Sequence, residues 1–464
     1  MGESKPLVNS WTEFGQLELV CVGSAEGMCY PDDRKPYRVI HISQDENLKQ
    51  YLTTFIGPRP PKRIQQAQEQ LQNLCSLLHG EQIEVKDVEE IDGDIQQMLK
   101  RKRCSVVDQQ PTTSSDDKRI AKPSIDILRA PSGKRFDHVI RTPHFESHYQ
   151  FGLTCPRDII ITIGNTIVEA PTACHSRYFE SSYYRELIYP LWNSDPKMKW
   201  IQPPRPTVSE SMFNDVNYWD KTTSEQFKRD FKTNGYKTNL NENEIAFDAA
   251  DLMRMGKDIF YKKDVFANNQ GLKWLRRTFS PEVRFHAVHF PTDGTPHIDV
   301  DLIPLRPPSS GSHGIVLINQ LHPPLKAEMK LFTDNDWRPM FVPLPACMDT
   351  PPMALCSPSL NMNLLSLSEK CVVIEECEIP LYHFLEDELG FDVITCPLRV
   401  LNEFGGGIHC VTWDIRRNDS CKDYFPEQNY EEECKIDLDN YFETEEYSVK
   451  TEDTNRTERE HKLN

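Results

Sequence analysis

Hydrophobic and polar positions along the chain repeat one unit five times: an amphipathic helical stretch, a short polar turn and an apolar strand. The copies are "RIQQAQEQLQNLCSLLHGEQIEVKDV" from Arg63, "YYRELIYPLWNSDPKMKWIQPP" from Tyr183, "NNQGLKWLRRTFSPEVRFHAVHFP" from Asn268, "MKLFTDNDWRPMFVPLP" from Met329 and "LYHFLEDELGFDVITCP" from Leu381. In the first copy Ile64, Leu71, Leu74, Leu77 and Leu78 recur near helical spacing, and then Ile83 and Val85 alternate as a strand does. Four of the copies close on proline, which ends pairing at a sheet edge. Further strands are predicted at 17–23, 158–171, 314–319 and 363–376. Two of these fold back as hairpins, at Gly164-Asn165 and at Ser368-Glu369-Lys370. Repeated mixed units of this kind predict a closed ring of like modules around a central channel, with an ordinary open α/β sheet as the alternative.

Charge changes the picture at the ends of this pattern. The chain carries a net −18, and from Asn418 to Asn464 there are 15 Asp plus Glu against 6 Lys plus Arg, a net of −9. That stretch is poor in aliphatic residues, so 418–464 is expected to be a disordered acidic tail after a body spanning 1–417. Residues 101–135, rich in Ser, Thr, Pro and mixed charge, are expected to form a mobile insertion. An acidic body without stacking motifs excludes nucleic acid as a partner, and no apolar run is long enough for a membrane helix. Fourteen cysteines in 464 residues, with no secretory signal, point to a reduced compartment where thiols are core fillers or reactive groups.

The candidate chemistry sits in three acidic segments and one glycine-rich one: "CPRDIIITIGN", "AFDAADLMRMGKDIF", "GTPHIDVDL" and "EFGGGIHCVTWDIRR". Each residue alone has a plain structural role, with Asp158 closing a turn, Asp248 capping a helix over "AADLMRMGKDIF" and His297 lying in a strand. Together, Cys410, His297 and the carboxylates are the parts of an activated nucleophile. A thiol of pKa about 8.5 becomes reactive when a nearby imidazolium or cationic substrate favours the thiolate. A carboxylate behind the imidazole fixes its orientation. The remaining carboxylates suit a guanidinium, whose planar fork of donors matches them bidentately. His297 and Asp299, two apart on a strand, are expected to face one side. His409, next to Cys410, is expected to face away and serve the structure. With no CxxC pair, HExxH or close His pair, no metal is expected.

The segments "CPRDIIITIGNTIVEAP", "FDAADLMRMGKDIF", "HIDVDL", "LNMNLLSLSEKCVVIEECEIP" and "FGGGIHCVTWDIRR" together resemble the glycine amidinotransferase family of guanidino-modifying enzymes, in order, from about Trp11 to Arg417. The resemblance implies a five-module, pseudo-fivefold α/β propeller with its active site in the central channel. It implies Cys410 as the nucleophile that carries the amidino group, His297 as general acid and base, and Asp248 as the partner that orients His297. Asp158 and Asp299 then grip the guanidinium, and the family's paired serines fall on Cys356 and Ser357. No cofactor is called for, the partners are small molecules (arginine and an amine acceptor), and a homodimer is compatible with it. The presequence of the mitochondrial animal enzymes is not seen, so a cytoplasmic location is expected, with mitochondria as the alternative.

The departures concern specificity. The family's arginine for the donor α-carboxylate is missing from "GIVLINQLHPP", leaving His322 or Arg306 as substitutes, and Gly294 stands where the family has asparagine. The expected activity is transfer of an amidino group from arginine, or a related guanidino donor, to an amine such as glycine, as in creatine biosynthesis. Weak use of the arginine and glycine pair is expected. The rivals are an arginine-deiminase-like hydrolase and a catalytically idle guanidinium-binding protein.

Overall fold

The computed structural model of the protein describes residues 5–32, 56–80, 124–214, 240–290, 296–346 and 360–434. In the second module the strands Ile160–Ile163 and Thr166–Glu169 form an antiparallel hairpin, the helix Arg185–Ser194 follows, and Lys199–Ile201 returns parallel to the hairpin's second strand. The third module repeats this order with Leu252–Met255, Asp258–Lys262, the helix Asn269–Phe279 and Arg284–Val288. The fourth uses Leu302–Arg306, Gly314–Ile318, the helix Lys326–Asp334 and Trp337–Phe341. The fifth uses Leu365–Ser368, Cys371–Glu375, the helix Ile379–His383 and Asp392–Cys396. The first module is the same unit built from both ends of the chain: Thr412–Asn418 pairs antiparallel with Gln16–Val22, the helix Pro61–His79 follows, and Asp126–Arg129 runs parallel.

Neighbouring sheets share apolar cores. Leu19 and Cys21 pack with Ile160 and Ile167 of the second module, whereas Val20 and Val22, on the other face, pack with Leu365 and Val373 of the fifth. Ile161 and Ile163 join Leu252 and Ile259 of the third module, and a further core joins Met253, Val316 and Val372 of the third, fourth and fifth. Sheets buried on both faces need apolar residues at successive positions, which is why their strands read as continuous runs. In the Pro61–His79 helix the predicted Leu71, Leu74, Leu77 and Leu78 are all buried. Proline at the first position costs no hydrogen bond there, and Gly80 ends the helix in the left-handed conformation at φ 78°. Among the described residues no helix is long and apolar enough to cross a membrane.

Three expectations are corrected. The stretch "AADLMRMGKDIF" is not a helix. Asp248 caps a single 3-10 turn, Ala249–Asp251, and the rest is the hairpin of the third module, turning at Gly256 with φ 77°. Its continuous apolar run carries no periodicity that separates strand from helix when both faces are buried. The 101–135 stretch is not a mobile insertion throughout: Asp126–Arg129 supplies the third strand of the first module, and Ala130 is buried. Residues 101–123, like the strand expected around Ile83 and Val85, lie outside the described residues. The body also continues past Arg417. Asp419 accepts hydrogen bonds from the Thr12 amide and hydroxyl (2.8 Å each), Phe425 is fully buried and stacks on Trp337, and the Tyr430 hydroxyl accepts from the Phe285 amide at 3.1 Å.

Candidate active site

All the predicted catalytic and guanidinium-gripping residues lie just ahead of the opening strand of a module. Asp158 precedes Ile160–Ile163, Asp248 precedes Leu252–Met255, His297 and Asp299 precede Leu302–Arg306, and Cys410 precedes Thr412–Asn418. The fifth module's counterpart, ahead of Leu365–Ser368, is Asn363. These equivalent ends meet in one buried cluster.

Asn363 organises Cys410. Its Oδ1 accepts from the amides of Gly407 (3.1 Å) and Cys410 (3.0 Å), its Nδ2 donates to Cys410 Sγ (3.1 Å) and to Asp299 Oδ2 (2.9 Å), and its carbonyl accepts from the His409 amide at 3.2 Å. The glycines ahead of Cys410 are explained by these contacts. A Cβ on Gly406 would lie 2.8 Å from Cys410 Sγ, and one on Gly407 would lie 2.8 Å from Asn363 Oδ1. Gly405 turns the chain at φ 102°. Cys410 itself is not on a strand; it sits in the turn before Thr412. Without strand alternation, His409 does not face away from the site. Its Nδ1 lies 2.8 Å from Asp299 Oδ2, the oxygen that also accepts from Cys410 Sγ at 3.4 Å.

His297 and Asp299 likewise lie ahead of the strand and not on it, Asp299 in a turn. His297 takes the left-handed conformation, φ 68°, which is unfavourable for a residue with a Cβ. Two buried charged groups hold it there. Its amide donates to Asp264 Oδ2 (2.6 Å) and its carbonyl accepts from Lys262 Nζ (2.9 Å), and that ammonium also pairs with Asp301. The His297 Nε2 lies 3.2 Å from Asp248 Oδ2 and its Nδ1 lies 3.9 Å from Asp158 Oδ1.

The three carboxylates share one pattern. Each has one oxygen engaged by the protein: Asp158 Oδ2 by Arg177 Nη1 (2.7 Å), Asp248 Oδ2 by His297, and Asp299 Oδ2 by His409, Asn363 and Cys410. Each has a second oxygen, Oδ1, that is buried with no hydrogen-bond partner. Three such acceptors make a cluster that favours a cation with several N–H donors.

Titration follows from this excess of negative charge. Burial works against protonating His297, but the charges of Asp158 and Asp248 outweigh it and push its pKa up to about 9. Burial, and then the charges of Asp299 and Asp158, push the Cys410 thiol well above its ordinary value. Burial favours the neutral acid at Asp299, yet the hydrogen bond and charge of His409 hold it below the usual carboxylate range. Burial raises Asp158 against the pull of Arg177, which is in turn clamped by Glu180.

The structure brings Cys410, His297, Asp248, Asp158 and Asp299 together. His322 has its Nδ1 3.4 Å from Asp301 Oδ1, two residues past Asp299. Arg306 is not brought there. It stands at the far end of its strand, roughly 13 Å along at about 3.3 Å per residue, with its guanidinium over the Phe391 ring. Cys356, Ser357 and Gly294 lie outside the described residues. Sequence reasoning missed Asn363 and Arg177 and misplaced His409. The signal for Asn363 was its position ahead of the fifth module's opening strand.

No family model matches the chain. It is 30% identical over 420 residues to "Glycine amidinotransferase, mitochondrial" of Gallus gallus, covering 90% of this chain and 85% of that one. It is 28% identical over 418 residues to the L-arginine:L-lysine amidinotransferase of Pseudomonas savastanoi pv. phaseolicola, covering 90% and 96%. Among solved structures it is similar to SxtG, an amidinotransferase from Microseira wollei in the saxitoxin biosynthetic pathway. The TM-score there is 0.65 at 26% identity, over 90% of this chain and 100% of that one. The inosamine-phosphate amidinotransferase StrB1 of Streptomyces griseus, at 23% identity and a TM-score of 0.67, shares the fold.

Proposed function

Given that the chain belongs to the glycine amidinotransferase family and is an amidinotransferase, we propose that it moves the amidino group of arginine through a covalent Cys410 intermediate to an acceptor amine. The observation that carries this reading is the trio of buried oxygens on Asp158, Asp248 and Asp299 that accept no hydrogen bond, with Asp299 itself against the Cys410 thiol. A guanidinium docked on them neutralises the charges that hold the thiol proton, so binding of the cation favours the thiolate and the thiol proton leaves to solvent. Sulfur attacks the guanidinium carbon. His297, kept protonated, gives its proton to the departing amine nitrogen, and the C–N bond breaks to leave ornithine and an S-amidino cysteine. The acceptor amine then attacks the amidino carbon and returns a proton to His297 as the C–S bond breaks. Orientation by fixed carboxylates is worth about 7 kcal/mol or more when geometry is good.

Five modules that share cores pairwise, with the first joined to both the second and the fifth, support a closed pseudo-fivefold propeller whose channel holds the site. The acceptor is an amine. Relatives named for glycine and for L-lysine show that the family accommodates more than one. His322 beside Asp301 is the remaining candidate for the donor carboxylate, and Arg306 is withdrawn from that role. The test is intact-protein mass spectrometry after incubation with arginine and no acceptor. An amidino adduct on the wild type, absent in Cys410→Ser, is expected. Citrulline and ammonia without acceptor-dependent ornithine would instead assign a hydrolase.

A further inference from the structure

The chain has a second histidine beside its nucleophile, and the reaction as written gives it no part. His409 is buried, and both of its ring nitrogens face carboxylates: Nδ1 lies 2.8 Å from Asp299 Oδ2 and Nε2 lies 3.4 Å from Glu13 Oε2. A neutral ring satisfies one of these acceptors and turns a lone pair on the other, whereas the imidazolium donates to both. Glu13 comes from the N-terminal segment and is itself gripped by Arg254 (Nε to Oε1, 2.7 Å; Nη2 to Oε2, 2.8 Å) and by Arg157 (3.3 Å). Arg157 also donates through Nε to the His409 carbonyl at 2.8 Å. The groups facing the ring and its backbone are therefore Asp299, Glu13, Arg157, Asn363 and Thr412, with Cys410 one carboxylate oxygen away.

We propose that His409 is a positioning residue that locks Asp299 so that Oδ1 faces the guanidinium and Oδ2 faces the thiol, and that Glu13 anchors it from the N-terminal segment. The proposal rests on the reading of Cys410 as nucleophile and Asp299 as guanidinium ligand. Its consequence is that Glu13 helps complete the site: its side chain reaches the Cys410 thiol through the His409 ring and Asp299.

Two amide substitutions separate the two contacts. In His409→Asn the amide nitrogen takes the place of Nδ1 and keeps the bond to Asp299; in His409→Gln it takes the place of Nε2 and keeps the bond to Glu13. The pH dependence of Cys410 alkylation by iodoacetamide is followed by peptide mass spectrometry, with and without L-arginine, alongside kcat and KM. His409→Gln takes one donor from Asp299 Oδ2, the oxygen that also faces the thiol, and so raises the pH midpoint of alkylation. His409→Gln weakens protection by arginine and raises KM roughly ten- to a hundred-fold, the loss of one charge-assisted contact. His409→Asn stays within about three-fold of wild type in both, since it keeps that contact. Glu13→Gln, which preserves shape, raises KM in the same direction as His409→Gln but by less, since it loosens the His409 ring without removing its contact to Asp299. Equal damage from His409→Asn and His409→Gln with an unmoved midpoint reduces His409 to packing and overturns the proposal, as does a folded His409→Gln enzyme with wild-type KM and midpoint. A wild type that forms no amidino adduct strikes the transferase reading and leaves the alkylation comparison intact.

Discussion

Two buried charged clusters meet at His409 and differ in one respect. In the hub formed by Glu13, Asp414, Arg157, Arg254 and Arg417, no carboxylate oxygen lacks a partner. Asp414 accepts from Arg157 at 2.6 Å, Arg254 at 2.7 Å and Arg417 at 2.9 Å, while Glu13 is held by Arg254, Arg157 and His409. In the site, Asp158, Asp248 and Asp299 each keep one buried oxygen unpartnered. Burying a charge is costly unless it is paired. A cluster whose acceptors are all paired is finished at folding; one with acceptors left over can be finished by a ligand. The hub joins the N-terminal segment to the first, second and third modules, and the site collects one end from every module.

That difference predicts opposite responses to losing a charge. The largest effect is expected in the hub: Arg254→Met takes the guanidinium from Glu13 Oε1 and one of three from Asp414, and should cost about 3–5 kcal/mol of folding stability by denaturant titration. A variant within about 1 kcal/mol of wild type would show that the hub is not structural. In the site, Asp158→Asn should lower kcat/KM about ten- to a hundred-fold while leaving the melting temperature unchanged or raised, because burial already pushes Asp158 toward its neutral form. A fall in melting temperature comparable to that of the hub variant would erase the distinction. The smallest effects separate the clusters by pH. His297 is raised in the folded state to about 9, so its contribution is complete below an unfolded value of about 6.5 and is lost as pH rises through about 9. In the hub, burial opposes ionisation of Glu13 and Asp414, but the arginines hold both below the ordinary carboxylate range. Their contribution is present at neutral pH and lost as pH falls. Melting temperatures across pH should show both limbs, with Asp248→Asn flattening the alkaline one alone and Glu13→Gln the acid one alone.

Much of this was legible locally. The helix–turn–strand units survive from the second through the fifth module, and the hairpins at Gly164-Asn165 and Ser368-Glu369-Lys370 form where turn residues interrupt apolar runs. The failures came where local pattern is silent. A strand with both faces buried has no alternation, so 249–260 read as helix. The acidic composition after Asn418 hid Asp419 and Phe425, whose partners lie far back in the chain. His409 was turned the wrong way because Cys410 was placed on a strand that begins later, at Thr412.

By itself the sequence determined the elements and the inventory of reactive groups, since helix periodicity, turn residues and motif spacing act over a few neighbouring positions. Only the tertiary structure decided what each group does. Cys410 takes its Asn363 contact from 47 residues away, and His409 meets Asp299 across 110. A carboxylate becomes a ligand or a strut according to which of its oxygens such distant partners leave unpaired.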